Sequence, residues 1–391
     1  MFEKITLKSS ENGEALNSAD LAEGLFFYQN VHLVLEYGSI LQILNEIGCD
    51  LFIEVLDRPN VTATYISQSL GTRSISTQTF DKHSFVAVNY AGQNKKKPKN
   101  KKDLLLLRLT NHGIDKISAR KFCNFFFNKC SSKEYSSDFF IKNGIVNVSN
   151  ELLYDEVLIK KIARISLEEY SMETPPIDNF IFQILNDKGS FSIISDIDYE
   201  KINKHPSNIA AKNKIDNVHI ANKVLYSNAD LILASHYGSE FKTSNVNSKI
   251  ILSRYQGIFK KLGKSQSDIL SFQEIVNSEG RNIYGAIVSK NKSFKEFLNF
   301  LDKSEKFRNW AQSLNPDSNL VQEYIKDISE TAFIETIPMK KYRYALSSVA
   351  GVINPIAGLV FSAADSFIFS KLLSGWKPNH FINTHYDDFI K

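Results

Sequence analysis

Short strand-forming runs alternate with amphipathic stretches over the first ninety residues, and this alternation restricts the fold more than any other feature of the chain. Val31-His32-Leu33-Val34-Leu35 is an apolar run suited to a short buried strand, and Val61-Thr62-Ala63-Thr64-Tyr65-Ile66 and Phe85-Val86-Ala87-Val88 are β-branched and strand-like. Ser18 is placed to cap a helix from Ala19 to Gln29, in which Leu21, Leu25 and Tyr28 share a face. Ser39 opens a second helix through Ile40, Leu41, Ile43, Leu44 and Ile47, which Gly48 is expected to stop. Asp50 then caps a third, short helix that ends before Pro59. A strand, helices and a strand in that order predict a crossover unit with a small, partly parallel sheet.

At 391 residues the chain exceeds the usual size of one hydrophobic core, so more than one domain is expected. The predicted fold class is mixed α/β (α+β). Residues 1–94 form an α/β domain, 95–102 a lysine-rich loop, and 103–335 a mostly helical region with strands near 180–197. An apolar helical hairpin over 340–375 and a polar tail over 376–391 complete the chain. In the middle region, Asp115 to Cys130 is a Phe-rich helix and Asn150 begins a long amphipathic stretch through Ile165. Phe180 to Leu185 and Phe191 to Ile197 form a β-hairpin about Asp187-Lys188-Gly189. Helices dominate again from Asn217, and Ser293 to Glu296 is a capping box.

With 28 Phe and 16 Tyr a core needs no disulfide or metal staple. Three cysteines (Cys49, Cys123, Cys130) make no even framework, and the N-terminus lacks the apolar run of a signal peptide. A cytoplasmic protein is therefore expected, membrane-associated if the C-terminal hairpin inserts. Cys123 and Cys130 fall on one helix face among phenylalanines, as small core residues do.

The formal charge of +4 comes from one place. Lys95, Lys96, Lys97, Lys99, Lys101 and Lys102 are broken only by Pro98 and Asn100, and without these six the balance is 41 basic against 43 acidic residues. Such a run attracts anionic lipid or nucleic acid by Coulomb forces, but it has none of the interleaved aromatics of a nucleic-acid reader. A solvated connector explains the same residues.

Phosphate-cradling glycine loops, C-x-x-C and H-E-x-x-H spacings, EF-hands and the G-x-S-x-G elbow are all missing, so no metal or cofactor is expected and a non-enzyme is favoured over an enzyme. Two acidic sets are the catalytic candidates. Asp50, Glu54 and Asp57 would share a helix face and could hold Mg²⁺, although the wet face of any amphipathic helix has this form. Asp196 and Asp198 follow a predicted strand, as carboxylates do in metal-dependent nucleases; Asp198 as a helix N-cap explains them equally. His380 and His385 stand near Asp387 and Asp388 in the tail, a pair without a metal motif.

From Tyr344 to Ala364 no residue is charged, and a bilayer crossing takes about 20 residues. Asn354-Pro355 interrupts the run as a cap and first helical residue, which turns one span into two helices. Asp365 is costly in lipid unless paired, and Trp376 marks an interface position. The layout matches that of a sensor, effector or regulatory binding protein whose hairpin acts at a membrane, in the manner of toxins and antiviral defence effectors. Its partner would be an unidentified protein or a second copy. A soluble metal-dependent nuclease or other phosphate-handling enzyme, and a purely soluble interaction module, are the alternatives.

Overall fold

A computed structural model describes residues 4–9, 15–77, 80–89, 100–136, 142–168, 170, 180–187, 189–209, 214–241, 247, 249–251, 283–313 and 385–390. The fold is mixed α/β, with one parallel sheet, one antiparallel sheet and many helices. Two compact units divide the chain: Lys4–Asn17 with Asn30–Gly257, and Met1–Glu3 with Ser18–Gln29 and Ile258–Lys391.

The first unit is built on β1 (Lys4–Leu7), β2 (Asn30–Leu35), β3 (Val61–Ile66), β6 (Ser131–Lys133) and β9 (Glu240–Phe241). They pair in the order β6-β3-β2-β1-β9, and every pairing is parallel. Two of these strands come from beyond the 1–94 segment. Helix α1 (Ser18–Phe27) belongs to the other unit. Helix α2 (Tyr37–Asp57) carries the chain from β2 to β3, and α3 (Lys101–Asn111) and α4 (Lys116–Lys129) carry it toward β6.

The sheet's two faces differ. Ile5, Leu7, Val31, Leu33, Leu35, Val61, Ala63 and Tyr65 alternate onto one face and are buried, with the Tyr65 ring 5.8 Å from Phe126 of α4. Lys4, Thr6, His32, Thr62, Thr64 and Ser131 fall on the other by the same alternation and register. A parallel sheet covered on both sides ordinarily reads as continuous apolar strands. Here the covering helix α6 (Asn217–Tyr237) meets polar residues through Tyr237, whose carbonyl accepts from Lys4 Nζ at 2.6 Å.

An antiparallel sheet, order β4-β5-β8-β7, uses β4 (Gln68–Ser76), β5 (Asp81–Asn89), β7 (Phe182–Asp187) and β8 (Ser190–Ser195). The expected hairpin is present, but as half of a larger sheet whose other half comes from the first ninety residues. Strands β1 and β4 escape the sequence reading because one has four residues and the other is polar around Gly71, as an edge strand permits. Phe85, Phe182 and Phe191 turn inward onto Ile159, Ile162 and Ala163 of α5 (Glu156–Glu168) and onto α6. The single amphipathic stretch expected from Asn150 is two pieces, because Asp155 caps a new helix through Leu158 N at 3.0 Å. Similarly, Lys101 and Lys102 are helical, because the Asn100 side chain accepts from Asp103 N at 2.8 Å and starts α3.

At Gly48 the backbone leaves the helical region (φ 80°, ψ 169°), so α2 is two helices joined by a kink at that residue, in keeping with the stop expected there. That backbone region is essentially reserved for glycine. A Cβ there would meet nothing within 4 Å, so any cost of Gly48→Ala is conformational. We expect a loss of about 1–3 kcal/mol in urea denaturation; an unchanged midpoint would show that the kink relaxes without strain.

In the second unit α1 packs by Phe26, stacked at 5.5 Å on Phe300 of α8 (Phe294–Lys303) and at 5.7 Å on Phe307 of α9 (Glu305–Ser313). A preceding helix, α7 (Ile283–Val288), contributes Ile283, Ala286 and Ile287 to its buried residues. The capping box is formed, with Ser293 Oγ accepting from Glu296 N and Glu296 Oε2 accepting from Ser293 N. No helix among the described residues is long and apolar enough to cross a membrane. The 340–375 segment, with Asn354, Pro355 and Asp365, lies outside the described residues, as do Trp376, Lys95, Lys96, Lys97, Lys99 and His380.

Candidate functional site

Open parallel sheets present ligands to the carboxyl ends of their strands, where the strand order reverses. Here the reversal falls at β1, which has β2 on one side and the last strand, β9, on the other. Lys8 follows β1 directly, Glu36 follows β2, Gln68 and Ser69 follow β3, and Tyr135 follows β6. Each strand end thus delivers a polar side chain to one place.

Lys8 Nζ lies 2.7 Å from Asp230 Oδ1 of α6, and the two side chains are 15% and 3% exposed. The amide of buried Asn247 donates to Asp230 Oδ2 at 3.2 Å. Glu36 is the N-cap residue of α2, yet its side chain makes no capping bond. Its Oε2 instead accepts from the Ser69 hydroxyl at 3.1 Å and its Oε1 from the Tyr135 phenol at 3.4 Å. Burial raises the Glu36 carboxyl above its ordinary value, against the downward pull of Lys8, Ser69 and Tyr135. Burial, and then the Glu36 carboxyl, push the Tyr135 phenol well up. Gln68 fastens the rim, donating to Asn89 Oδ1 at 2.9 Å while its own Oε1 accepts from Ser136 N at 2.9 Å. The arrangement combines an ammonium, a phenol and a carboxyl whose pKa burial raises, which suits hydrogen-bonded recognition of a polar ligand or proton transfer to one.

The residues singled out from sequence fall elsewhere. Asp50 and Asp57 are exposed and pair with Lys121 at 2.8 Å and Lys129 at 3.3 Å, linking α2 to α4; Glu54 is exposed on the same helix. Asp196 Oδ1 accepts from Ile181 N at 2.6 Å, and Asp198 caps the Tyr199–Lys204 helix through Lys201 N at 2.9 Å. Among the described residues no three His, Cys, Asp or Glu side chains gather as a metal site. Lys101 pairs with Glu134 at 2.8 Å. Burial pushes the Cys123 and Cys130 thiols up to about 12; Cys123 is a core residue as expected, whereas Cys130 is the half-buried C-cap of α4 and not part of the core. One signal of the carboxyl-end cluster was legible: Glu36 stands immediately after an apolar strand run. Lys8, Tyr135 and Asp230 carried none, being brought together only by the sheet.

Comparison with protein families, with curated proteins and with solved structures finds no match to this chain.

Proposed function

We propose that this chain is a sensor-effector, a binding protein that takes a small polar ligand at the carboxyl end of its parallel sheet. The observation that supports this most is the enclosed set Lys8, Glu36, Tyr135 and Asp230 at the point where the strand order reverses. Output would pass to a partner protein, to a second copy, or to a membrane through the apolar 340–375 segment, with the Lys95–Lys102 run drawn to anionic lipid. The nuclease alternative has less support, because Asp50, Asp57, Asp196 and Asp198 each already have a structural partner.

A thermal-shift screen of small polar metabolites against the full chain tests the ligand site. A true ligand at 100 times its Kd should stabilise the first unit by about 2.7 kcal/mol. Tyr135→Phe and Glu36→Gln should each weaken its binding about tenfold or more, since each removes a hydrogen bond to a buried partner. Binding that both variants leave intact would sink the assignment. The membrane output is tested by flotation with anionic liposomes. Wild type should float, Asp365→Leu should float more strongly, and a chain truncated after Ile337 should stay in solution; a wild type that never floats removes the membrane from the proposal.

A further inference from the structure

His32 interrupts an otherwise apolar strand and lies on the face of the parallel sheet that carries Lys4, Thr6 and Thr62. It is 5% exposed. Its Nδ1 is 2.8 Å from Thr62 Oγ1, and its ring stacks on Tyr237 at 3.8 Å between centroids. Nε2 is buried with no hydrogen-bond partner among the described residues. In the tautomer in which the Thr62 hydroxyl donates to Nδ1, Nε2 carries the proton and is a buried donor without an acceptor, an arrangement that folded proteins rarely keep without a reason.

The surroundings are cationic and rich in hydroxyls. Lys133 Nζ donates to His236 Nε2 at 2.9 Å, and Lys4 Nζ donates to the Tyr237 carbonyl. Tyr237 OH donates to Thr64 Oγ1 at 3.1 Å, Thr64 Oγ1 is 2.9 Å from Ser131 Oγ, and Thr6 Oγ1 is 2.6 Å from Ser239 Oγ. Thr62 and Ser131 are exposed, so the cluster opens to solvent along that edge. After burial, the charges of Lys4, His236 and Lys133 bring His32 down to about 4. A metal cation would meet the same repulsion from Lys4 and Lys133 that the His32 proton meets, whereas an anion would relieve it.

We propose that this cluster binds an oxyanion, a free phosphate or the phosphate of a monoester, through His32 Nε2–H and the ammonium groups of Lys4 and Lys133, with the Thr62 and Ser131 hydroxyls at its mouth. Phosphate suits the site because its several acceptor oxygens can take more than one charge-assisted donor. The site shares no residue with the carboxyl-end cluster.

The test follows the His32 ring resonances of the full chain by NMR while inorganic phosphate is added at constant ionic strength set with chloride. The proposal expects saturable shifts, and a His32 titration midpoint that rises from about 4 by about one pH unit or more as the anion offsets the local positive charge. Lys133→Met should weaken phosphate binding about tenfold or more. It also keeps the test usable should Lys4→Met, which loses the bond to the Tyr237 carbonyl, fail to fold. A nucleoside monophosphate that binds more tightly than phosphate would assign the ligand as a nucleotide, and equal affinity would assign free phosphate. A His32 ring that phosphate and monophosphate both leave unmoved, or Lys133→Met binding as wild type does, overturns the proposal.

Discussion

Lys8→Met is expected to destabilise the first unit by about 3–5 kcal/mol, the usual cost of leaving one partner of a buried ion pair behind. Asp230 is 3% exposed and sits on α6 beside Ala229 of the core cluster, so water has little access to its carboxylate once the ammonium is removed. Asn247 still donates to the other carboxylate oxygen, which places the loss toward the lower end of the range. The double variant Lys8→Met/Asp230→Leu should recover most of the stability, because two apolar side chains incur no desolvation penalty. Both tryptophans, Trp310 and Trp376, belong to the second unit, so their fluorescence reports on the wrong part of the chain. Urea unfolding is therefore followed by hydrogen exchange of the α6 amides. A single variant within about 0.5 kcal/mol of wild type would mean that the pair is solvated. Its part in the proposed ligand site would then lose its footing.

Phe126→Ala is expected to cost a similar amount, about 3–5 kcal/mol, through the cavity it leaves. The Phe126 ring is fully buried, stacked on Phe122 at 5.3 Å and edge-on to Tyr65 at 5.8 Å, and Phe122 in turn stacks on Phe52 of α2 at 5.5 Å. Phe126 thus joins α4 to the sheet, and Phe122 joins it to α2. Ile117, on the same helix but 80% exposed, provides the control: Ile117→Ala should change stability by no more than about 0.5 kcal/mol. Circular dichroism in urea reads both. A loss below about 1.5 kcal/mol for Phe126→Ala would show that the neighbouring rings close the gap.

The carboxyl-end cluster explains why the sequence pointed to other carboxylates. Asp50, Glu54 and Asp57 stood out because helical periodicity is visible along the chain, and periodicity marks a wet face as readily as a metal site. Glu36, the carboxyl that burial perturbs, has no periodic partner. Its neighbours are Ser69 on β4 and Tyr135 just past β6, and Lys8 and Asp230 are separated by most of the first unit.

What the sequence determined by itself was local. The β-branched run from Val61 to Ile66 became β3 with those limits, Asp115 and Asp198 became caps, and the turn at Gly189 joined a hairpin. Each of these depends on interactions within a few residues: side-chain oxygens reaching nearby amides, apolar spacing, and a glycine at positive φ. Only the tertiary structure decided that β1, β6 and β9 join the central sheet, that the hairpin after residue 180 extends the β4-β5 pair, and that Lys4, Thr6, His32 and Thr64 share one sheet face. Parallel pairing is made between segments far apart in the chain, and its register fixes which side chains share a face. His32 in an apolar strand and Lys4 near the N-terminus therefore acquire a common environment from strand order alone, which no local pattern encodes.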